Sequence, residues 1–415
     1  MNDPIRNLAT SLFVVFAVLV AGVSWTQAVA GTDYRDDPRN ARLVTARAAR
    51  ERGPIITRDG TVVAESFPDP DDPQVFRRSY PENELYGHVV GYATFIFGAT
   101  ALESARSGDL VSDRDATISG VLNAVFGGDL RPNGLRLTID HALQTAAATA
   151  LGGQQGAIVA LDPRTGEILA LVSSPRFDPN MLGGSGAGPT GDALVADEAR
   201  PLLNRALRNT YAPGSTFKIV TTIAALESGL ASEATAYPDP SRLTLPGSTA
   251  VIRNFDGGVC ADGTDASLAE AFIRSCNTIF GQIGLDVGAA ALTGAAQNAG
   301  FNLEIPLEIG VIASAIPSAD DFENDLPGVA QTALGQRDVQ ATPLQMALIA
   351  AGAANGGEIM VPYLVAEVFS ADAEVVERTE PQVWRRAMNP STAVTLVDLM
   401  ERVVTAGTGS RAAVP

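Results

Sequence analysis

Residues 213–229 read PGSTFKIVTTIAALESG, and the rest of the sequence is best interpreted outward from them. Pro213-Gly214 predicts a turn, and the apolar spacing after it predicts a helix that ends at Gly229. Ser215 then lies in the first helical turn, where its backbone N–H is unpaired and near the positive end of the helix dipole. Lys218 follows one turn later on the same face, so its amine can reach the Ser215 hydroxyl. A serine cap beside a solvated lysine would give the same letters.

Lys218 is the chain's only lysine, since the other 28 of the 29 basic residues are arginines. A coding bias that replaces Lys with Arg wherever either serves accounts for the excess of arginine. The position that keeps its lysine is then of interest, because Arg does not lose its proton in proteins whereas a desolvated Lys can, and can act as a base. The count favours a serine–lysine pair but leaves the capping alternative open.

A second polar cluster is Ser275-Cys276-Asn277, which follows the helix-like run SLAEAFIR. A serine and an asparagine two residues apart project to similar sides of a tight turn. The hydroxyl can relay a proton and the amide can hold a neighbouring group by hydrogen bonds. A simple corner between two helices would have the same sequence.

Composition excludes several classes of protein. With 415 residues the chain is long enough for two or three domains, and its formal net charge of −18 disfavours binding to nucleic acid or to an anionic membrane surface. The 46% of hydrophobic residues excludes disorder over most of the chain. Two histidines and two cysteines argue against a His-rich or Cys-rich metal site.

The N-terminus carries an uncharged apolar run from Leu8 to Trp25, long enough to span a bilayer as a helix. The flanking charges favour an N-terminus inside the cell and residues from about 32 onward outside it. A cleaved signal peptide is the alternative, because Ala28-Val29-Ala30 fits a small-x-small cleavage site. The length of the run favours the uncleaved anchor.

Beyond the anchor the sequence changes texture near residue 135. Before it, residues 32–52 read as a short helix or linker, and Ile55 to Val63 reads as a hairpin around Asp59-Gly60. After it come a predicted helix over His141 to Leu151, with Thr138 or Asp140 as its cap, and two strands at Ala157–Leu161 and Ile168–Val172. Residues 183–189 read as a loop, and from Pro213 onward helices dominate.

Ser-x-x-Lys followed by Ser-x-Asn is the pattern of penicillin-binding proteins and β-lactamases. The chain resembles a class B penicillin-binding protein, most like the penicillin-binding protein A group of actinobacteria, over nearly its whole length. Further stretches that resemble the family in order are Arg52-Gly53-Pro54-Ile55, Arg58-Asp59-Gly60, Tyr80-Pro81, Gly91-Tyr92, Ala101-Leu102-Glu103, Leu137 to Asp140, Gly156 to Pro163, Ser174-Pro175, Phe177-Asp178-Pro179-Asn180, Gly335-Gln336 and Ala341 to Ala347.

The resemblance implies an α+β fold in three parts. Residues 1–31 would form a short cytoplasmic tail and a single transmembrane anchor. Residues 32–134 would form a pedestal domain of the dimerisation type. Residues 135–415 would form a transpeptidase domain related to serine β-lactamases, with a sheet flanked by helices, on the outer side of the membrane.

The resemblance also implies an activity, the cross-linking of peptidoglycan by a serine D,D-transpeptidase. Ser215 would attack the bond between the two terminal D-alanines of a stem peptide, and Lys218 would take its proton. Ser275 would pass a proton to the leaving D-alanine, and Asn277 would hold Lys218 and the substrate amide. No metal or cofactor is implied. The implied partners are stem peptides, β-lactams, the membrane, and a glycosyltransferase or other cell-wall assembly proteins, but no nucleic acid.

The sequence departs from the family at its third motif, Lys-Thr-Gly, because the only lysine is Lys218. We therefore expect the chain to stop short of that motif, to be poorly soluble without its anchor and not to bind penicillin covalently as it stands. Two alternatives follow: an inactive scaffold of cell-wall assembly, or a β-lactamase or β-lactam sensor of the same fold.

The two cysteines leave a second question open. Cys260 and Cys276 would lie outside the membrane, where disulfides persist, and a bond between them would brace the corner at Ser275. Closing this loop of about 15 residues would contribute up to about 3 kcal/mol in the chain-entropy model. The alternative is a small buried thiol at Cys276 and a loop residue at Cys260.

Overall fold

The computed structural model describes residues 3–28, 50–73, 75–94, 96–111, 131–183 and 187–414. The expectation of a helix or linker over residues 32–52 lies almost entirely outside the described residues. Part of the expected pedestal, residues 112–130, does so as well.

The first helix, α1, runs from Asp3 to Ala28. Its segment Arg6–Trp25 is long and apolar enough to cross a membrane, and the described side chains there are exposed. A signal sequence meets the same criteria of length and apolarity.

The described residues between 50 and 137 form short strands and helices, beginning with the hairpin predicted from the sequence. The elements are β1 (Ile55–Ile56), β2 (Val62–Pro68), β3 (Phe76–Ser79), α2 (Gly87–Val90), β4 (Ala93–Thr94), β5 (Gly98–Ala99), α3 (Ala101–Ala105), α4 (Ser107–Leu110) and β6 (Gly134–Leu137). β1 pairs with β2 in antiparallel fashion, which confirms the predicted hairpin.

The described residues after 137 contain more helix than strand. Its elements are α5 (His141–Leu151), β7 (Gly156–Leu161), β8 (Ile168–Ser174), α6 (Ala187–Ala196), α7 (Lys218–Glu227), β9 (Ala236–Pro238), β10 (Arg242–Thr244), β11 (Val251–Arg253), β12 (Asp265–Ser267), α8 (Leu268–Arg274), α9 (Asn277–Asn298), α10 (Leu326–Thr332), α11 (Pro343–Ala354), β13 (Glu358–Met360), β14 (Val365–Phe369), β15 (Val375–Arg378), β16 (Val383–Arg386) and α12 (Pro390–Ala406).

Several local predictions can be compared with these elements. Asp140 is the cap of α5, since its carboxylate accepts from the Leu143 N–H at 2.9 Å. β7 and β8 form the predicted pair of antiparallel strands; β8 is almost entirely buried and β7 is half-buried along its length. The prediction of a loop as far as residue 189 is wrong, because α6 begins at Ala187.

A six-stranded sheet joins the two halves of the chain, in the order β15-β14-β6-β1-β2-β3. β6 pairs in parallel with β1 on one side and antiparallel with β14 on the other. The strand at the change of texture near residue 135 therefore lies in the middle of a sheet, and strands from the end of the chain complete that sheet.

A buried charge cluster attaches α3 to the β3 edge of that sheet. The Glu103 carboxylate is fully buried and lies 2.7 Å from Arg52 Nε and 2.6 Å from Arg78 Nε. Arg78 Nη1 also donates to the carbonyl oxygens of Arg52 and Gly53, at 3.0 and 2.9 Å. These contacts attach α3 to β3 and to the chain just before β1.

The helical core surrounds α7, which packs against α9 and α12. Phe217, just before α7, is fully buried and meets the Phe301 ring edge-on at 5.5 Å between centroids. α9 is also long and apolar enough to span a membrane, but half of that stretch is buried inside the protein, as expected for a core helix. This core fixes the position of the first turn of α7.

Candidate active site

Ser215 lies in a short 3-10 turn, Gly214–Phe217, that leads directly into α7. The helix proper begins at Lys218, so the predicted helix starts one turn later than the sequence indicated. Gly214 has φ +56°, a left-handed conformation that favours glycine. The Ser215 side chain is exposed, while Phe217 anchors the turn in the core.

A neighbouring loop supports this turn from behind. The Gly214 N–H donates to the Gly335 carbonyl at 2.8 Å, and Thr221 Oγ1 donates to the Ala333 carbonyl at 2.8 Å. Gly335 has φ +67°, and a Cβ at this position would collide with the Gly214 carbonyl. The close approach of the two backbones gives a physical reason for glycine at Gly335.

Lys218 is 2% exposed, and its amine faces the corner between α8 and α9. Nζ donates to the Ser275 carbonyl at 2.7 Å, to Ser275 Oγ at 3.0 Å and to Asn277 Oδ1 at 2.8 Å. It also lies 5.3 Å from the centroid of the Phe280 ring. All of these partners are uncharged.

Burial lowers the pKa of Lys218 from its usual 10.5 to about 7, because removal from water disfavours the charged amine. Among the described residues, no carboxylate lies within ion-pair distance of Nζ to oppose this effect. A substantial fraction of the amine is therefore neutral near pH 7, as a general base requires.

The structure brings Lys218, Ser275 and Asn277 into direct contact, as predicted, but it does not join Lys218 to Ser215. Within the described part of the chain no hydrogen bond links Nζ to the Ser215 hydroxyl. The three hydrogen bonds of the amine all go to the corner, so Ser215 stands at the mouth of the site with its side chain exposed.

The corner itself depends on an unusual backbone at Ser275. This residue ends α8 with φ 62° and ψ 45°, the left-handed conformation that glycine usually supplies at such a position. The Cys276 N–H donates to the Ala271 carbonyl at 2.9 Å, which closes the turn, and α9 begins at Asn277. The reversal directs the Ser275 carbonyl, its hydroxyl and the Asn277 amide at the same amine.

Cys260 and Cys276 form a disulfide with 5.6 Å between their Cα atoms, which settles the question that the sequence left open. The Cys260 loop is further held by Asp239, a buried residue whose carboxylate accepts from the N–H groups of Cys260 (2.9 Å) and Ala261 (2.6 Å). The corner is thus attached covalently to a loop that has its own anchor.

Sequence reasoning missed Asp239 and Asn254. Asn254 Oδ1 accepts from the N–H groups of Asn277 (2.8 Å) and Thr278 (3.2 Å), at the start of α9. The only local signal was the run Asn254-Phe255-Asp256-Gly257, which predicts a turn but does not say what the turn faces.

No group of three or more His, Cys, Asp or Glu side chains in the described ranges is arranged to hold a metal ion. A cavity of about 510 Å³ lies between the α2–α3 segment, which contributes Tyr92, and the loops that hold Arg208 and Glu308. Neither Ser215 nor Lys218 lines it, so this cavity is separate from the candidate site.

Comparison with known proteins agrees with this arrangement. Residues 156–415 match the family described as penicillin binding protein transpeptidase domain, and residues 52–134 match the penicillin binding protein A dimerisation domain. The chain belongs to the penicillin-binding protein transpeptidase family. The expected mixed fold, a dimerisation domain followed by a transpeptidase domain, is confirmed for this penicillin-binding protein.

Relatives of this penicillin-binding protein match it over most of their length. It is 38% identical over 413 residues to the peptidoglycan D,D-transpeptidase PbpA of Mycolicibacterium smegmatis, a match that covers 96% of this chain and 82% of the relative. The crystal structure of PBPA from Mycobacterium tuberculosis superposes with a TM-score of 0.79 at 38% identity and covers 86% of this chain and 82% of that one. The penicillin G acyl-enzyme complex of the same M. tuberculosis protein matches with a TM-score of 0.79, 38% identity and the same coverage.

Proposed function

We propose that this protein is a peptidoglycan D,D-transpeptidase that forms an acyl-enzyme on Ser215 and is acylated there by β-lactams. The observation that carries the proposal is the contact of one buried lysine, Lys218, with the Ser275 hydroxyl and the Asn277 amide, one turn beyond an exposed serine. The names of the PbpA relatives and the acyl-enzyme complexes of the M. tuberculosis protein support it.

The first half-reaction transfers the stem peptide to the enzyme. Ser215 Oγ attacks the carbonyl carbon of the penultimate D-alanine, and the hydroxyl proton passes to the neutral amine of Lys218. The bond between the two D-alanines breaks, and the leaving amine takes a proton that Ser275 relays from Lys218. Terminal D-alanine departs and an ester joins the peptide to Ser215.

The second half-reaction uses the same groups in reverse. The amine of a neighbouring stem peptide attacks the ester carbonyl, loses a proton to the Lys218 and Ser275 pair, and displaces Ser215, which regains its proton. The backbone N–H of Ser215 would be one donor to the oxyanion in both steps. Asn277 would hold Lys218 and the substrate amide.

β-Lactams would follow the first half-reaction only. The strained amide of the lactam opens on attack by Ser215, and its nitrogen takes the proton. The nitrogen remains tethered to the acyl group, so the leaving group cannot depart as D-alanine does and the ester persists.

We also propose a location and a division of the chain. The exposed apolar surface of α1 supports a single membrane anchor within residues 1–31, with the N-terminus inside the cell. Residues 32–134 would be the pedestal and residues 135–415 the transpeptidase domain, on the outer side of the membrane. A glycosyltransferase that supplies glycan strands is the expected partner, because cross-linking consumes freshly polymerised chains.

Labelling with fluorescent penicillin tests the proposal. Membranes that carry the gene's product, read to its natural stop codon, are labelled as wild type, as Ser215→Ala and as the control Ser228→Ala, which alters an exposed serine at the other end of α7. We expect equal labelling of wild type and control and none of Ser215→Ala. Labelling of Ser215→Ala, or an unlabelled wild type that is folded, would contradict the proposal.

A further inference from the structure

Asn254 lies at the N-terminal end of α9 although it comes from the loop after β11. It is 8% exposed, and its Oδ1 accepts from the Asn277 N–H (2.8 Å), the Thr278 N–H (3.2 Å) and Thr278 Oγ1 (3.3 Å). Its Nδ2 donates to the Gly258 carbonyl at 3.0 Å. Cys276 is formally the cap residue of α9, but its side chain makes no capping hydrogen bond, so a distant residue supplies the cap.

The residue before Asn254 completes a two-point attachment of Asn277. The Arg253 carbonyl accepts from Asn277 Nδ2 at 3.0 Å, while Asn254 accepts from the backbone N–H of the same residue. With Nδ2 turned toward Arg253, the other amide atom, Oδ1, faces Lys218 Nζ. The orientation of the Asn277 amide, and therefore the acceptor that it offers the lysine, follows from the position of residues 253–254.

We propose that Asn254 is a positioning residue, which holds Asn277 against Lys218 and thereby adjusts how readily that amine takes up a proton. The inference rests on the proposed role of Lys218 as the base. It identifies a group that acts through Asn277 rather than by touching the substrate.

Because no charged group contacts Lys218 Nζ in the described structure, its uncharged hydrogen-bond acceptors have a large influence on its pKa. The charged groups on the elements packed around it are exposed or partly exposed, and most of them have partners of their own. They are Glu227 on α7, which contacts Asn389 and Thr392; Asp286 on α9, which accepts from Gln282; Glu270 and Arg274 on α8, which pair with each other; Asp398 and Arg402 on α12, which also pair, with Glu401 exposed beside them; and Arg253 on β11, whose side chain is exposed.

Since none of those groups contacts Nζ in the described structure, the hydrogen bonds to Ser275 and Asn277 are what favour the charged amine against its burial. If Asn277 loses its attachment, one acceptor is weakened and the pKa of Lys218 falls. If a negative charge replaces the Asn254 amide, the charged amine is favoured and the pKa rises.

The single lysine makes a direct test possible. The 415-residue chain, made with ε-¹³C-lysine, gives one side-chain signal, from Lys218, whose chemical shift is followed by NMR as a function of pH in the resting protein. Asn254→Ala should lower the midpoint by about one pH unit, and Asn254→Asp should raise it by a similar amount. Thr342→Ala removes a buried cap of another helix, α11, and should leave the midpoint unchanged.

A double-mutant cycle then asks whether Asn254 acts through Asn277. Asn277→Ala alone should lower the midpoint, and adding Asn254→Ala to it should have no further effect. Identical midpoints for wild type, Asn254→Ala and Asn254→Asp would overturn the inference, as would equal shifts from Asn254→Ala with and without Asn277.

Two features keep the test decisive. Asn254→Asp keeps the shape and the Oδ1 acceptor of the residue and loses only the Nδ2 donor to the Gly258 carbonyl, so it remains informative if Asn254→Ala does not fold. The titration needs no reaction at Ser215, so a failure of penicillin labelling contradicts the proposed function, whereas an unmoved titration contradicts only the role of Asn254.

Discussion

Two buried charged side chains in this protein have opposite surroundings. Glu103 is 0% exposed and Lys218 is 2% exposed, so both have lost nearly all contact with water. Glu103 lies between two guanidinium groups, of Arg52 and Arg78. The amine of Lys218 has only a carbonyl, a hydroxyl, an amide oxygen and an aromatic ring.

The difference is the one expected between a structural charge and the proposed base. Opposite charges flank Glu103, and their contacts with its carboxylate attach α3 to β3. Uncharged acceptors around Lys218 satisfy its N–H groups but do not offset the free-energy cost of burying the charged amine, so the pKa falls to about 7. Substitutions at Lys218 and at Glu103 test the two environments separately.

The largest effect should come from a permanent charge at the lysine position. Lys218→Arg keeps the positive charge but cannot release its proton at neutral pH, so we expect the acylation rate constant to fall by about 10²- to 10⁴-fold. Rates are measured with fluorescent penicillin on the gene's full product. Arg402→Lys, an exposed swap in the opposite direction on α12, should keep the wild-type rate; a Lys218→Arg rate within a few-fold of wild type would remove Lys218 from the mechanism.

The converse change removes the charge from the paired cluster. Glu103→Gln leaves Arg52 and Arg78 buried without their carboxylate, and should lower the free energy of unfolding by about 3–5 kcal/mol. Urea denaturation compares it with Glu65→Gln, an exposed change on β2 that should stay within about 0.5 kcal/mol of wild type. If the two variants are equally stable, the cluster around Glu103 is not structural.

The smallest effect needs no substitution. Below its pKa of about 7 the Lys218 amine is mostly protonated and cannot accept the serine proton, while above it the neutral form predominates. The acylation rate constant should therefore rise by about tenfold from pH 6 to pH 8 and then level off. A rate that is constant over this range, or that falls, would show that a group other than Lys218 limits proton transfer.

Sequence reasoning located the groups of the site but not their arrangement. Ser215 and Lys218 are three residues apart, and helix periodicity alone relates them. Lys218 and Asn277 are separated by 59 residues, and their contact depends on how α7 packs against α9. The spacing predicted that the Lys218 amine could reach Ser215. In the structure the amine is instead hydrogen-bonded to Ser275 and Asn277, at the corner between α8 and α9.

The same limit explains the residues that were missed. Asn254 and Asp239 act on backbone N–H groups 21 to 24 residues away, and any asparagine or aspartate in a turn has the same local sequence. The disulfide was only one of two alternatives, because nothing in the spacing of the cysteines fixes the distance between their Cα atoms. The sequence predicted many of the helices and strands, but it could not predict which residues of different elements come into contact.

The position of β6 has a consequence for engineering chimeras. Since β6 pairs with β1 before it and with β14 after it, a cut near residue 134 separates one sheet between two donors. In a graft that exchanges residues 52–134 alone, a foreign β1 would have to pair with the original β6. A transplantable module would have to include β14 and β15 as a second insert. The exchanged unit would then contain all the paired strands of the sheet, although they come from two separate stretches of the gene.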